Sequence, residues 1–201
     1  GFISLNAPMN LTRLGSCSTR TTHPYFLDGL SDLLKIIEVK NPITNPFQFL
    51  TKGEVLQKCS NKKLLKEILP LTMSCSHPEA ARWDKLTYAH CGYCYPCIMR
   101  RTAIHYSGIK DSTKYNYDIA DYDNVIEARK GSDLRALLRY IGVDYDDNYN
   151  KPLSLISRSG PLPDLSQLND FIELYKRGLN QLRKYLEDVS TRKMKTYAGL
   201  P

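Results

Sequence analysis

Apolar side chains recur every three or four residues over several stretches of the chain, which predicts helices separated by polar connections. The first helix begins at Thr22 or His23 with Pro24 in its opening turn. It carries Phe26, Leu30, Leu33, Leu34 and Ile37 on one face, the pattern of an ordinary core helix. Thr51-Lys52-Gly53-Glu54 has the form of a capping box, after which Val55, Leu56 and Cys59 point inward. A short helix is predicted from Asn61 to about Ile68, and Leu71-Thr72-Met73-Ser74 reads as a brief strand. Pro96 can open a helix that runs through Tyr106 and stops at Gly108. Ser132 caps another, with Leu134, Leu137, Leu138 and Ile141 inward and Gly142 as its stop. From Asp164 to about Ser190 a long helix repeats Leu168, Phe171, Tyr175, Leu179, Leu182, Leu186 and Val189. That stripe fits intramolecular core first, and a protein partner or self-association through 164–190 second.

The remaining stretches are irregular. Phe2, Ile3 and Leu5 suit a short strand, followed by loop from Asn6. Ser16 to His23 is rich in hydroxyls around Arg20 and His23, a composition that clamps an anion or simply bonds its own backbone. Asn41-Pro42 and Asn45-Pro46 break the chain into an extended piece. Residues 109–131 are polar and tyrosine-rich and read as a linker. Asp144, Asp146 and Asn148 imitate a calcium loop, but Tyr149 replaces its turn glycine and Leu155 its bidentate glutamate. The basic tail from Thr191 to Pro201 has no periodicity and is expected to be mobile.

Composition narrows the classes. A chain of 201 residues with 42% hydrophobic content can bury a core, and the expectation is one domain with an extension. The net charge of +7 admits an anionic partner, although solvated helical faces account for much of it. No run of about 18 apolar residues is present, so no membrane span is expected. The lack of a recognisable signal segment and the isolation of Cys17 and Cys59 point to a reducing, cytoplasmic setting.

Chemistry concentrates in Cys75 to Arg101. Cys91-Gly-Tyr-Cys94-Tyr-Pro-Cys97 forms a knuckle, and Cys75 joins it across fifteen intervening residues. Four thiolates drawn from one short segment satisfy a tetrahedral zinc ion, with no open position and therefore a structural role. Three other readings use the same residues. A disulfide would need an oxidising compartment, a Cys-Gly-Tyr-Cys redox pair leaves Cys97 without a function, and an iron–sulfur cluster also takes four thiolates. Arg100 follows the knuckle by one turn, where it can offset thiolate charge or bind an anionic substrate.

The ordered combination Thr51-Lys52-Gly53-Glu54, then Met73-Ser74-Cys75, then Cys91-Gly92-x-Cys94-x-x-Cys97-x-x-Arg100 resembles the C-terminal half of the 7-cyano-7-deazaguanine synthases. The likeness covers roughly residues 42–105. It implies an α/β fold of the adenine-nucleotide hydrolase (ATP-pyrophosphatase) type, a parallel sheet flanked by helices, with a four-cysteine zinc knuckle and a helical C-terminal extension. Residues 1–108 would be the synthase-like part and 109–201 the extension. The implied activity is an ATP-dependent ligation that turns a 7-carboxy-deazapurine, with ammonia, into a nitrile. The implied ligands are zinc at Cys75, Cys91, Cys94 and Cys97, and the substrate and ATP near Lys52, with Arg100 supporting the knuckle. Arg20 and His23 complete the candidate substrate residues, on their loop chemistry alone. The extra C-terminal helices resemble the anti-phage (QatC-type) branch.

The chain departs from the family in two respects: a longer gap between the first two zinc cysteines, with Trp83 inside it, and no Ser-Gly-Gly-x-Asp-Ser phosphate loop. The expectation is therefore an activity, and ATP binding, that need a longer protein, with no ATP turnover by these residues alone. The rival reading is a zinc-ribbon-type nucleic-acid-binding module. It is disfavoured because acidic stretches at Asp118–Asp123 and Asp144–Asp147 interrupt the basic residues.

Overall fold

Among the described residues helices account for nearly all the regular structure. In a computed structural model the described residues are Leu5, 22–77, 85, 87, 90–120, 129–142, 150–158, 160–162 and 164–201. They contain α1 (Pro24–Ile36), α2 (Lys52–Lys58), α3 (Lys62–Ile68), α4 (Tyr95–Tyr106), α5 (Ser132–Ile141), α6 (Asn150–Ser157), α7 (Leu168–Val189) and α8 (Arg192–Ala198). The parallel sheet implied by the resemblance has no counterpart among the described residues. Their strand pairing is an isolated parallel bridge between His90 and Tyr115. The brief strand read at Leu71–Ser74 is replaced by a 3₁₀ turn, Leu69–Leu71, and extended chain. Pro70 sits at the start of that turn, where its missing N–H costs nothing. Of the N-terminal strand, only Leu5 lies among the described residues, and it is fully buried.

The chain divides into two compact units that interleave in sequence, Gly1–Lys52 with Asp144–Gly178, and Gly53–Val143 with Leu179–Pro201. A boundary at 108/109 follows the extent of the family resemblance instead. In the first unit, Phe171, Ile172, Leu174 and Tyr175 of α7 are buried together with Leu155 and Ile156 of α6. The Phe49 ring lies 5.1 Å from that of Phe171, and Arg177 donates to the Phe49 carbonyl at 2.7 Å. His23 caps α1, its Nδ1 accepting from the Tyr25 amide at 3.3 Å, as the pattern predicts. The rest of α1 departs from expectation, because Phe26, Leu33 and Ile37 are exposed and only Pro24 is buried.

The second unit holds the larger core. Asn61 caps α3 by accepting from the Leu64 amide at 2.9 Å. Leu69, Ile104 and Ile109 cluster with Leu56 and Leu65, which seats the 3₁₀ turn against α4. Gly53 lies so close to Tyr106 that an added Cβ would meet that ring at 2.6 Å, so a side chain there would have to displace it. Leu134, Leu137, Leu138 and Ile141 of α5 are all buried, as the periodicity predicts, although the helix is capped by Gly131 and Ser132 is its first residue. Leu179, Leu182 and Leu186 of α7 are buried within the chain, which bears out the core reading of that stripe. The tail is ordered by packing. Thr191 caps α8, Met194 and Ala198 are buried, and α8 lies against α5. Among the described residues no helix is long and apolar enough to cross a membrane.

Candidate metal centre

Cys75, Cys91, Cys94 and Cys97 converge, with all four sulfurs within 4.8 Å of one another. Three separate pieces of backbone build the site. The first is the extended stretch after the 3₁₀ turn, which ends in Cys75. Thr72 anchors it, its amide and hydroxyl both donating to the Leu69 carbonyl at 3.1 and 2.8 Å. Arg100 then locks the stretch to α4. Its side chain is buried and donates to the Leu69 carbonyl, to Thr72 Oγ1 at 2.8 Å, to Ser74 Oγ at 3.4 Å and to Thr113 Oγ1 at 3.1 Å.

The second piece is the knuckle. The amides of His77 and Cys91 donate to Cys75 Sγ at 3.3 and 3.4 Å, and the Cys94 amide donates to Cys91 Sγ at 3.4 Å. Gly92 turns the backbone with φ +92°, a conformation that side chains resist. Cys94 is the N-cap of α4 and Cys97 lies in its first turn, so the helix starts inside the site. Asp133 of α5 completes that start by accepting from the Tyr95 amide at 2.7 Å.

The third piece comes from residues 109–131, where the sequence reads as a linker. Among its described residues, Ile109, Thr113 and Ile119 are buried and Tyr115 packs against the cysteines. Asn116 donates to the His90 carbonyl from its amide at 2.9 Å and its side chain at 3.1 Å. The Tyr117 carbonyl sits where a Cβ on Gly92 would be, 2.3 Å away. The one signal of this packing in the sequence is Gly92 itself.

The thiols of Cys91, Cys94 and Cys97 shift one another. Hydrogen bonding from Cys91 first, then Cys97, holds the Cys94 thiol far below its ordinary value, with Ser76 assisting. The same contacts reverse sign at their partners. The bond to Cys94 pushes Cys91 up to about 12, and bonds to Cys91 and Cys94, with burial, push Cys97 up as well. Sulfurs this close cannot all ionise unless a positive ion sits among them. Burial, followed by the Arg100 charge, lowers His90 below its ordinary value; its Nε2 lies 3.1 Å from the Thr72 carbonyl.

The sulfur spacing suits a single tetrahedral ion. Four sulfurs at about 2.3 Å from a tetrahedral zinc lie about 3.8 Å apart. Cys75–Cys94 and Cys91–Cys97 measure 3.9 and 4.0 Å. A multi-iron cluster distributes its cysteines over separate iron atoms and holds them farther apart. None of the five cysteines among the described residues is in a disulfide.

Of the candidate substrate residues, Arg100 lies in the unit that holds the cysteines. Its Nη groups hold Cys75's arm and Thr113. His23 and Lys52 belong to the first unit, His23 buried beside an apolar cavity of about 510 Å³ and Lys52 exposed at the start of α2. Arg20 and the calcium-like segment 144–149 lie outside the described residues.

A 7-cyano-7-deazaguanine synthase from Methanocaldococcus jannaschii is 33% identical to the chain over 78 residues, a match covering 38% of this chain and 32% of the relative. The chain thus spans about a third of the length of the curated relative it matches. No protein-family model matches the chain, and no solved structure does.

Proposed function

We propose that this chain is the zinc-stapled part of an ATP-dependent ligase like the 7-cyano-7-deazaguanine synthases, acting on a deazapurine or related carboxylate. The observation that carries the reading is the convergence of Cys75, Cys91, Cys94 and Cys97 within 4.8 Å. That spacing suits one tetrahedral ion, and the 33% identity over 78 residues to a named synthase supports the family likeness of the chain. Zinc would join the Cys75 arm, the knuckle and the start of α4. With four protein ligands it has no position for substrate, so its role is to hold the fold. Nucleotide binding, on this reading, is a property of the longer ligase and not of these residues alone. Lys52, at the start of the helix that opens the Thr-Lys-x-Glu motif, would face the nucleotide or substrate.

The test is conversion of 7-carboxy-7-deazaguanine by the full-length zinc-loaded protein with ATP and ammonium. Nitrile or amide product, lost on Cys91→Ser, supports the ligase reading. Full zinc occupancy with no ATP-dependent product refutes it.

A further inference from the structure

Helix α3 and the 3₁₀ turn that follows it form one continuous helical stretch, since the Leu69 amide still bonds to the Leu65 carbonyl. This stretch carries two apolar faces. Leu65 and Leu69 pack with Ile104 and Ile109 in the core of the second unit. Leu64, Ile68 and Leu71 recur four and three residues apart, which puts them on another face of the same helix, and all three are exposed. Leu71 is the extreme case at 83%. Met73 lengthens the row along the arm that ends in Cys75, and it too is exposed. Its direction follows from its neighbours. The Thr72 and Ser74 hydroxyls accept from Arg100, so in extended chain the residue between them points the other way.

Exposed apolar side chains scattered singly need no explanation, whereas four in one row, bordered by polar residues, mark a surface that another molecule covers. Charge narrows what that molecule is. Residues 58–73 carry four exposed lysines against a single carboxylate, Glu67. Lys62 is spent on the Leu56 and Gln57 carbonyls at the end of α2. Among the described residues no carboxylate pairs with Lys58, Lys63 or Lys66. The row therefore sits in a positive field, and the surface that complements it is apolar with carboxylates at its edges. Its shape points to a helix. Leu64 and Leu71 lie about 10 Å apart along the axis, two turns, the span over which an amphipathic helix lays down its i, i+3, i+4 and i+7 anchors. A bilayer fits less well, because Glu67, three residues after Leu64 and four before Leu71, stands at the edge of the row and would meet anionic lipid.

We infer that the outer face of α3, with Leu71 and Met73 beyond it, binds an amphipathic helix of a partner protein whose apolar stripe is flanked by acidic side chains. The inference rests on this geometry and stands independently of the ligase reading. The anchors are in place before the partner arrives. Arg100 fixes Thr72 and Ser74 on either side of Met73, and Leu65 and Leu69 seat α3 on the core, so little ordering is needed on binding.

The test is fluorescence anisotropy of the full zinc-loaded chain with two labelled peptides of about 18 residues, long enough to hold a helix. Both carry leucines at i, i+3, i+4 and i+7; one has glutamate at the flanking positions and the other lysine. The glutamate peptide is expected to bind at least about tenfold more tightly, an advantage that shrinks at high salt. Leu71→Ser, which leaves the core untouched, is expected to weaken that binding about tenfold at unchanged zinc content. Lys63→Glu is expected to narrow the gap between the two peptides. Equal binding of the two peptides by the unmodified protein overturns the inference with no variant required. So do absence of binding, binding that survives Leu71→Ser, and Leu71-dependent binding to phosphatidylserine vesicles in place of the peptide.

Discussion

Replacing Gly92 with alanine tests how the knuckle is held. The residue has φ +92°, and the added methyl would stand 2.3 Å from the Tyr117 carbonyl oxygen and 3.2 Å from Tyr115 Cβ. Two costs follow. The left-handed backbone costs a side chain about 1–2 kcal/mol. The methyl also cannot fit without moving a backbone carbonyl, an overpacking cost of about 1–3 kcal/mol. Gly108 provides the internal control, since it has φ +71° but nothing within 4 Å of an added Cβ. Gly108→Ala should therefore cost only the backbone term. The assay is guanidinium unfolding of the zinc-loaded protein, with metal release read by a chromogenic chelator so that the unit carrying the cysteines is the one reported. Gly92→Ala is expected to lose about 2–5 kcal/mol and Gly108→Ala about 1–2 kcal/mol. Equal losses at the two positions would refute the packing of residues 115–117 on the knuckle.

Three further outcomes follow from the same geometry. Arg100→Lys replaces a buried fork that serves the Leu69 carbonyl, Thr72, Ser74 and Thr113. A single ammonium leaves some of those acceptors unpaired, so a loss of about 2–4 kcal/mol and weaker zinc retention are expected in the same unfolding assay. Burial raises the Tyr185 hydroxyl to about 12. A raised folded value favours the protonated form, so its contribution is full below the unfolded value near 10 and is lost as pH climbs through 12. Stability measured from pH 8 to 12 should hold to about pH 10 and then fall, with a smaller fall in Tyr185→Phe; identical curves would contradict the burial. Nucleic-acid binding, followed by fluorescence anisotropy across salt concentrations, is expected to be negligible, because acidic stretches at Asp118–Asp123 and Asp144–Asp147 interrupt the basic residues along the chain. Binding with a steep salt slope would revive the rival.

Local features were legible where one stretch of chain decides them. The cap of α1 at Thr22 or His23, the start of α3 near Asn61, the start of α4 in the knuckle and the buried face of α5 all follow from residues within a turn of one another. The four ligands were legible for a related reason, since few environments other than a metal justify four clustered thiols. What escaped depends on contacts across long separations. The Asn116–His90 and Arg100–Leu69 bonds connect residues 26 and 31 apart, and polarity alone makes 109–120 resemble a linker. The order of the tail is hidden because its burying residues, Met194, Ala198 and Leu200, are too few to set a period, yet α8 packs against α5. For α1 the period is correct and the burial is not, since an apolar face on a helix predicts that it will be covered without saying by what.

X-ray absorption at the zinc edge, with metal content measured on the same sample, addresses the four-sulfur centre most directly. One zinc per chain with four sulfurs at about 2.3 Å is the predicted result. A shell containing nitrogen or oxygen in place of Cys75, an iron–iron vector, or protein that folds with no metal bound would contradict it.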